Sequence, residues 1–501
     1  KTSSADKDAS SAFLKYKDFS HYADYFNGME DENIVQAIPN AKASEWMEDN
    51  IPLFECPQRN FEEMYYYRWW SLRKHIKETP VGYGMTEFLV QRSYSDKYNL
   101  IACAIGHHIY ESRWLRDPKY LDQIIHTWYR GNDGGPMKKM NKFSSWNADA
   151  VLARYMVDGD KDYLLDMKKD LETEYQRWER TNRLKNGLYW QGDVQDGMEE
   201  SISGGRRKKY ARPTINSYMY GNAKALSCIG ILSGDEGMAM KYGMRADTLK
   251  NLVENELWNT RHQFFETMRT DSSANVREAI GYIPWYFNLP DTAQKYEIAW
   301  KEIMDAKGFS APYGLTTAER RHPEFRTRGV GKCEWDGAIW PFASAQTLTA
   351  MANFMNNYPQ TVLSDSVYFR QMELYVESQY HRGRPYIGEY LDEVTGYWLK
   401  GDQERSRYYN HSTFNDLIIT GLIGLRPRLD NTIEVNPLIP ADKWEWFCLD
   451  NVLYHGHNLT ILWDKNGDRY HCGKGLRIFV DGKEVGQADT LTKIVCENAL
   501  K

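Results

Sequence analysis

The strongest constraint on this chain is a periodicity. Between about residue 60 and residue 425, apolar side chains recur three and four positions apart in segments of roughly a dozen residues, the spacing that lines one face of a helix. The segments come in pairs. Asn99–Trp114 precedes Lys119–Trp128 with Asp117-Pro118 between them, and Trp146–Val157 precedes Asp162–Arg177 across Asp158-Gly159-Asp160. A further helix opens at Pro213, carries Ile215, Met219, Ala223, Leu226 and Ile229 on one face, and stops at Ser233-Gly234-Asp235 before its partner, Glu236–Leu257. Phe342–Met355, Ser366–Tyr380 and Phe414–Ile423 continue the pattern. Helical hairpins in series predict a mainly α fold, an α/α toroid, with a helical solenoid as the alternative.

The loops favour the toroid. Arg130–Ser145, Asn186–Arg212, Phe309–Trp335 and Arg382–Asn410 are long and rich in glycine and aromatics, and loops of that length in a compact domain usually carry function. After Gly424 the pattern changes to period two. Thr432–Val435, Leu459–Trp463 and Leu476–Val480 read as strands, with Asp464–Asp468 and Asp481-Gly482 as turns. The expected organisation is an N-terminal arm with short helices over 1–60, a helical domain over 61–425 that holds the chemistry, and a small β-sandwich-like domain over 426–501.

A formal net charge of -6 over 501 residues gives no field that would gather nucleic acid or an anionic membrane. No apolar run approaches the ~18 residues that a membrane span requires. The seven cysteines are scattered and form no Cys-x-x-Cys pair, and the paired histidines lack metal-ligand spacing, so neither a disulfide framework nor a metal is expected. There is no phosphate loop and no nucleophile elbow, and no cofactor is expected. The polar opening, Lys1 to Asp8, fits a chain whose signal peptide has been removed, which gives a periplasmic or secreted location as the expectation.

Two acidic turns carry the candidate chemistry. Gln195–Gly204 holds Asp196, Glu199 and Glu200, and carboxylates held close raise one another's proton affinity, so that one of them stays protonated as an acid. Glu389, in Gly388–Gly396, supplies a second carboxylate. Such a pair is what cleavage of a glycosidic bond needs. Aromatics make up 14% of residues, with 17 Trp and 35 Tyr, which fits a cleft that stacks sugar rings.

With those motifs in view, the chain resembles the six-hairpin (α/α)6 glycosidase clan, in particular family 63 and mannosylglycerate-hydrolase-like inverting enzymes. Gly197-Met198-Glu199-Glu200-Ser201 is similar to the family's general-acid motif, and Glu389 through Thr395-Gly396 to its general-base motif. Arg212-Pro-Thr-Ile-Asn216-Ser-Tyr218 and Trp335-Asp336-Gly337-Ala338-Ile339-Trp340-Pro341 resemble two further stretches. The resemblance implies an exo-acting inverting glycosidase with Glu199 as acid and Glu389 as base, acting on an oligosaccharide or small glycoside. Tyr67, Arg68, Trp69, Trp146, Asp196, Arg212, Asn216, Trp335, Asp336, Trp340, Tyr397 and His411 are the expected substrate-binding residues.

The departures from the pattern are specific. The acid is Glu where the family has Asp, Asp336 stands where it has Arg, and Arg68 stands where the sugar-gripping motif has a carboxylate. The resemblance implies an α-linked glycosidic bond, and Arg68 would suit the carboxylate or sulfate of an acidic sugar through its planar donor fork, or else serve as a structural ion-pair member. Asp196 and Glu199, three apart, are expected to share a face, with Asp196 raising the acid's proton affinity. A polysaccharide lyase or unsaturated-uronyl hydrolase on a similar toroid, and a catalytically silent sugar-binding protein, remain the alternatives.

Overall fold

A computed structural model describes residues 13–501; the polar opening, Lys1 to Asp8, on which the expectation of a removed signal peptide rests, lies outside the described residues. The helices fall into two kinds. Helix α1 (Arg59–Lys74) is buried at every position from Tyr65 to Lys74, a burial on all sides that only a helix in the middle of the body can have. Most of the remaining helices bury one stripe. In α2 (Ile105–Ser112) nearly the whole helix is enclosed, whereas α3 (Lys119–Arg130) buries Tyr120, Leu121, Ile124, Ile125 and Trp128 and leaves Asp122, Gln123, His126 and Arg130 half-buried. The same alternation holds further on. Helix α4 (Asn147–Asp158) is followed by α5 (Lys168–Asn182), which buries Leu171, Tyr175 and Trp178. Helix α6 (Pro213–Ser233), buried without a break from Pro213 to Ala223, packs on α4 and on α7 (Glu236–Leu252), whose stripe is Met238, Tyr242, Ala246 and Leu249. Helices α8 (Pro341–Asn357) and α9 (Asp365–Ser378) complete the main set.

Two of the expected breaks use one device. Gly159 ends α4 and Gly234 ends α6 in the left-handed region, and the next residue, Asp160 or Asp235, accepts the N–H of Tyr163 or Met238 to start the short helix Lys161–Asp166 in the first case and α7 in the second. The expected helix from Asn99 begins later, at Ile105. Tyr98 and Asn99 have positive φ, and Asp96 ties the turn by capping Lys97, so the helix cannot start there.

From Phe13 on, the N-terminal segment meets the C-terminal sheet. Phe13 and Leu14 donate their N–H groups to the Asp450 carboxylate, and strand β1 (Leu53–Glu55) pairs with β2 (Trp446–Tyr454), which is far away in sequence. With β3 (His457–Asp464), β4 (Gly475–Val480) and β5 (Lys483–Ala488) they form one antiparallel sheet in the order β1 to β5. Its tight turns, His455-Gly456 and Asp481-Gly482, place both residues at positive φ, as the right-handed strand twist requires of a two-residue hairpin. Asp464 folds the longer connection by accepting the N–H groups of Gly467, Arg469 and Tyr470, which makes this segment a turn as expected.

At the centre of the helical body Trp146 lies flat on the backbone of Gly106 in α2, so closely that a methyl group at that glycine would overlap the indole. Trp146 also donates to the Tyr286 hydroxyl at 3.0 Å. Gly106→Ala should therefore lower unfolding stability by about 1–3 kcal/mol through overpacking, measured by urea denaturation.

Candidate active site

Glu199 is presented by a loop that the residues before it hold rigid. Asp193 accepts the Val194 N–H and the Ser201 hydroxyl, and its backbone carbonyl accepts the Met198 N–H, closing the loop across its base. Gly197 takes a positive φ against Cys103, and Glu200 does the same, so the chain turns sharply on both sides of Glu199. Met198 is buried and anchors the turn, which leaves Glu199 half-buried. Glu200 points outward to Arg206 at 3.4 Å.

Asp196 does something other than expected. It is fully buried in an ion pair with Arg212 at 2.7 Å and accepts hydroxyl bonds from Thr214 and Ser144. Its charge is spent inside the loop, so it is not the group that raises the acid's proton affinity. Asn216 clamps Tyr189 at both its N–H and its carbonyl, and Arg212 also reaches Ser201 and Ser203; both residues support the acid loop.

Glu389 stands in a β-hairpin-like turn. Leu391 bridges Trp398, the Leu399 N–H donates to the Tyr390 carbonyl, and Asp392 locks the turn by accepting from Val394 and Thr395. Cys333 lies 3.8 Å from one carboxylate oxygen, and the Lys400 ammonium lies 3.6 Å from the other. Three aromatic rings stack beside it: Trp335 on Trp340 at 4.6 Å and Trp340 on Tyr390 at 4.6 Å.

A third carboxylate, not read from the sequence, belongs to the same place. Glu87 is buried, receives the Cys103 thiol at 3.6 Å and lies 4.0 Å from the His411 ring. Burial pushes its carboxyl well above the usual range, and Glu389 and Glu199 push it further. Burial likewise moves Glu199 up to about 7, with Glu389 and Asp193 adding and Arg206 opposing. Burial also raises the Cys333 thiol, and Glu199 and Glu389 both add to that shift. The three carboxylates therefore act on one another within one site. Among the described residues no three His, Cys, Asp or Glu side chains converge to hold a metal ion.

Trp335, Trp340 and His411 join this site, and several expected members do not. Arg68 is buried and spends its guanidinium on Gln379, Tyr375 and Ser412. Tyr67 packs on Phe26 and Trp70 and faces a separate cavity with Glu30, Tyr386 and Tyr408, while Trp69 is enclosed beside Tyr65. Trp146 is a core residue, as its seat on Gly106 requires. Asp336 accepts the N–H groups of Arg328 and Gly329 and fixes its own loop. Tyr397 is exposed at the hairpin tip and bonds Asp402.

Residues 97–412 match the family model of the mannosylglycerate hydrolase MGH1-like glycoside hydrolase domain, which covers more than half of the chain. The chain belongs to this glycoside hydrolase family. Residues 425–486 match the C-terminal domain of glycosyl hydrolase family 65, so the terminal sheet also has a counterpart among glycoside hydrolases. A solved chain named a sialidase shares 94% identity and a TM-score of 0.99 over 99% of this chain, which spans only 46% of that protein. The GH63 mannosylglycerate hydrolase from Thermus thermophilus, in complex with glucose, has a TM-score of 0.53 at 12% identity, covering 71% of this chain and 99% of its own. The GH78 rhamnosidase of Bacillus sp. GL1 has a TM-score of 0.60 at 10% identity, covering 86% and 41%. At these last two identities the likeness is one of fold. Glu199, Glu389 and His411 lie inside the segment that matches the MGH1-like model, and Glu87 lies shortly before its start.

Proposed function

We propose that the site is the active centre of an exo-acting inverting glycosidase on an (α/α)6 toroid, with Glu199 as general acid and Glu389 as general base. The observation that carries this reading is the unlike surroundings of two neighbouring carboxyls. Glu389 faces an ammonium, whereas no ion pair holds Glu199 among the described residues, and its proton affinity is raised to about 7. One is suited to hold a proton for a leaving oxygen and the other to take one from water. Glu389 Oε2, His411 Nε2 and Trp335 Nε1, like atoms of Trp69, Arg212 and Asp336, are buried without a hydrogen-bond partner among the described residues. Glu87, deeper and held near His411, would accept hydroxyls of the terminal sugar.

The sugar proposed is neutral. A sugar carboxylate would enter a site that already holds three carboxyls, and three of the arginines that could receive it are engaged: Arg68 in the core, Arg206 on Glu200, and Arg326 on Glu334, Asp392 and Glu393. The name sialidase belongs to a protein more than half of which this chain does not cover. A panel of α- and β-linked aryl glycosides and neutral oligosaccharides, followed by proton NMR of the first anomer released, tests both points. Release of the anomer with retained configuration, or turnover confined to acidic sugars, would overturn the reading.

A pH dependence follows from Glu199. Its carboxyl holds the proton below about 7 and loses it above, so kcat/KM on a substrate with a poor leaving group should fall as pH rises through about 7. A pH profile flat across that region, with no loss of activity on the alkaline side, would contradict that role.

A further inference from the structure

Lys400 is brought to Glu389 by the turn that follows the hairpin. Leu391 pairs with Trp398 and the Leu399 N–H donates to the Tyr390 carbonyl, after which the chain turns through Leu399 and Lys400, with the Gly401 N–H on the Trp398 carbonyl, so that the Lys400 ammonium lies 3.6 Å from the Glu389 carboxylate. The turn that fixes this register is tight: Gly396 has a positive φ and lies against Tyr313, and its N–H donates to the Asp392 carbonyl. Beyond Lys400, Gly401 is seated against Trp398 and His381 with no room for a side chain, which holds the turn at this depth. Both side chains are buried, Lys400 at 8% exposure and Glu389 at 5%. The ammonium also lies 5.1 Å from the centre of the Tyr390 ring, and among the described residues Glu389 is its one carboxylate partner.

A buried ammonium without an anion is costly, and a buried carboxylate without a cation takes up a proton instead. Each member of the pair therefore keeps the other charged. The groups that act on Glu389 from other elements are the carboxyls of Glu87 and Glu199 and the thiol of Cys333. The phenols of Tyr94, Tyr386, Tyr390 and Tyr409 also feel its charge. Arg405 acts on Cys333, and His411 bonds the Gly388 backbone and is held neutral by burial. No second cation pairs with any of the three carboxyls within 4.0 Å among the described residues, apart from the neutral His411 ring beside Glu87.

We propose that Lys400 is the positioning residue that assigns the negative charge of this site to Glu389. This inference rests on the reading of Glu389 as the general base. Three carboxyls in one site could share their protons in several ways, and a single ammonium 3.6 Å from one oxygen of one of them removes that degeneracy. Without it the base and the acid would compete for the same proton, and the enzyme would spend part of its time in an inactive arrangement.

The test is carbon-13 NMR of the full chain labelled at the glutamate carboxyl carbon, with Glu389 identified by the signal that disappears in Glu389→Gln. In the wild type at a pH of about 6, below the Glu199 value, Glu389 should appear as a carboxylate while Glu199, identified through Glu199→Gln, appears as a carboxylic acid. In Lys400→Met the protonation of Glu389 should move to higher pH, the direction expected on losing an opposite charge. Lys400→Arg should restore the wild-type behaviour. The acidic limb of the kcat/KM profile, on whichever glycoside the panel identifies, should move in parallel. An unmoved Glu389 signal in folded Lys400→Met overturns the proposal. So does a protonated Glu389 in the wild type under the same conditions, which decides the matter even if Lys400→Met fails to fold. If Glu389 behaves as expected but no glycoside is hydrolysed, the charge assignment stands and the glycosidase reading falls.

Discussion

Glu389→Gln should abolish hydrolysis of every glycoside, lowering kcat/KM by at least the ~10²–10⁴-fold that proton transfer contributes. Glutamine cannot take a proton from water, and no other unprotonated carboxylate stands ready to replace it: Glu199 and Glu87 both favour the protonated form, and Asp196 is spent on Arg212. Glu199→Gln should behave differently. It should lose a comparable factor on a substrate with a poor leaving group and far less on an activated aryl glycoside, whose departure needs little protonation. The comparison is made by measuring kcat/KM for both variants on the two substrate types. Equal losses for Glu199→Gln on both would mean that Glu199 is not the acid.

The helical body and the two catalytic candidates are legible in the sequence because their signals are local. A stripe of apolar residues at helical spacing, a Gly-Asp pair at a helix junction, or a short acidic turn can be read without knowing what lies opposite. The residues whose roles differ from expectation take them from distant partners. Arg68 is a core residue because Gln379 and Ser412 meet it there, and Trp146 because Gly106 leaves a flat seat for its ring. Loops rich in aromatics cannot tell a cleft from a core, since the same rings serve both. Trp335 and Trp340 flank the carboxyls, while Tyr397 is at an exposed tip. Glu87 escapes a reading of the sequence for the same reason. A lone Glu between Thr86 and Phe88 has no motif around it, and its meaning comes from Cys103, Glu199, Glu389 and His411, all remote in sequence. The one local hint is a charged residue between a glycine-rich ribbon and an aromatic. The first strand of the terminal sheet is equally hidden, because its partner is the Trp446–Tyr454 strand at the other end of the chain.

Asp196→Asn should lower unfolding stability by about 3–5 kcal/mol, the cost of breaking a buried ion pair and leaving one charge uncompensated. Arg212 is fully buried, and Asp196 is its direct partner, at 2.7 Å; Glu278 and Asp193 act on it only at longer range. The amide keeps one acceptor for Ser144 or Thr214 but neutralises nothing, so the guanidinium is left charged in the interior. A second change should recover much of the loss: Asp196→Asn with Arg212→Met removes the orphaned charge along with its partner, and buried pairs replaced by apolar groups are often neutral in stability. Urea denaturation of the three proteins measures both quantities. Because Asp196 faces away from the reacting carboxyls, the folded fraction of Asp196→Asn should retain the basic limb of the pH profile that Glu199 sets at about 7. Should Asp196→Asn instead keep full stability and lose all turnover with the loop intact, Asp196 would be the proton donor, and Glu199 would have to be reassigned to holding the substrate.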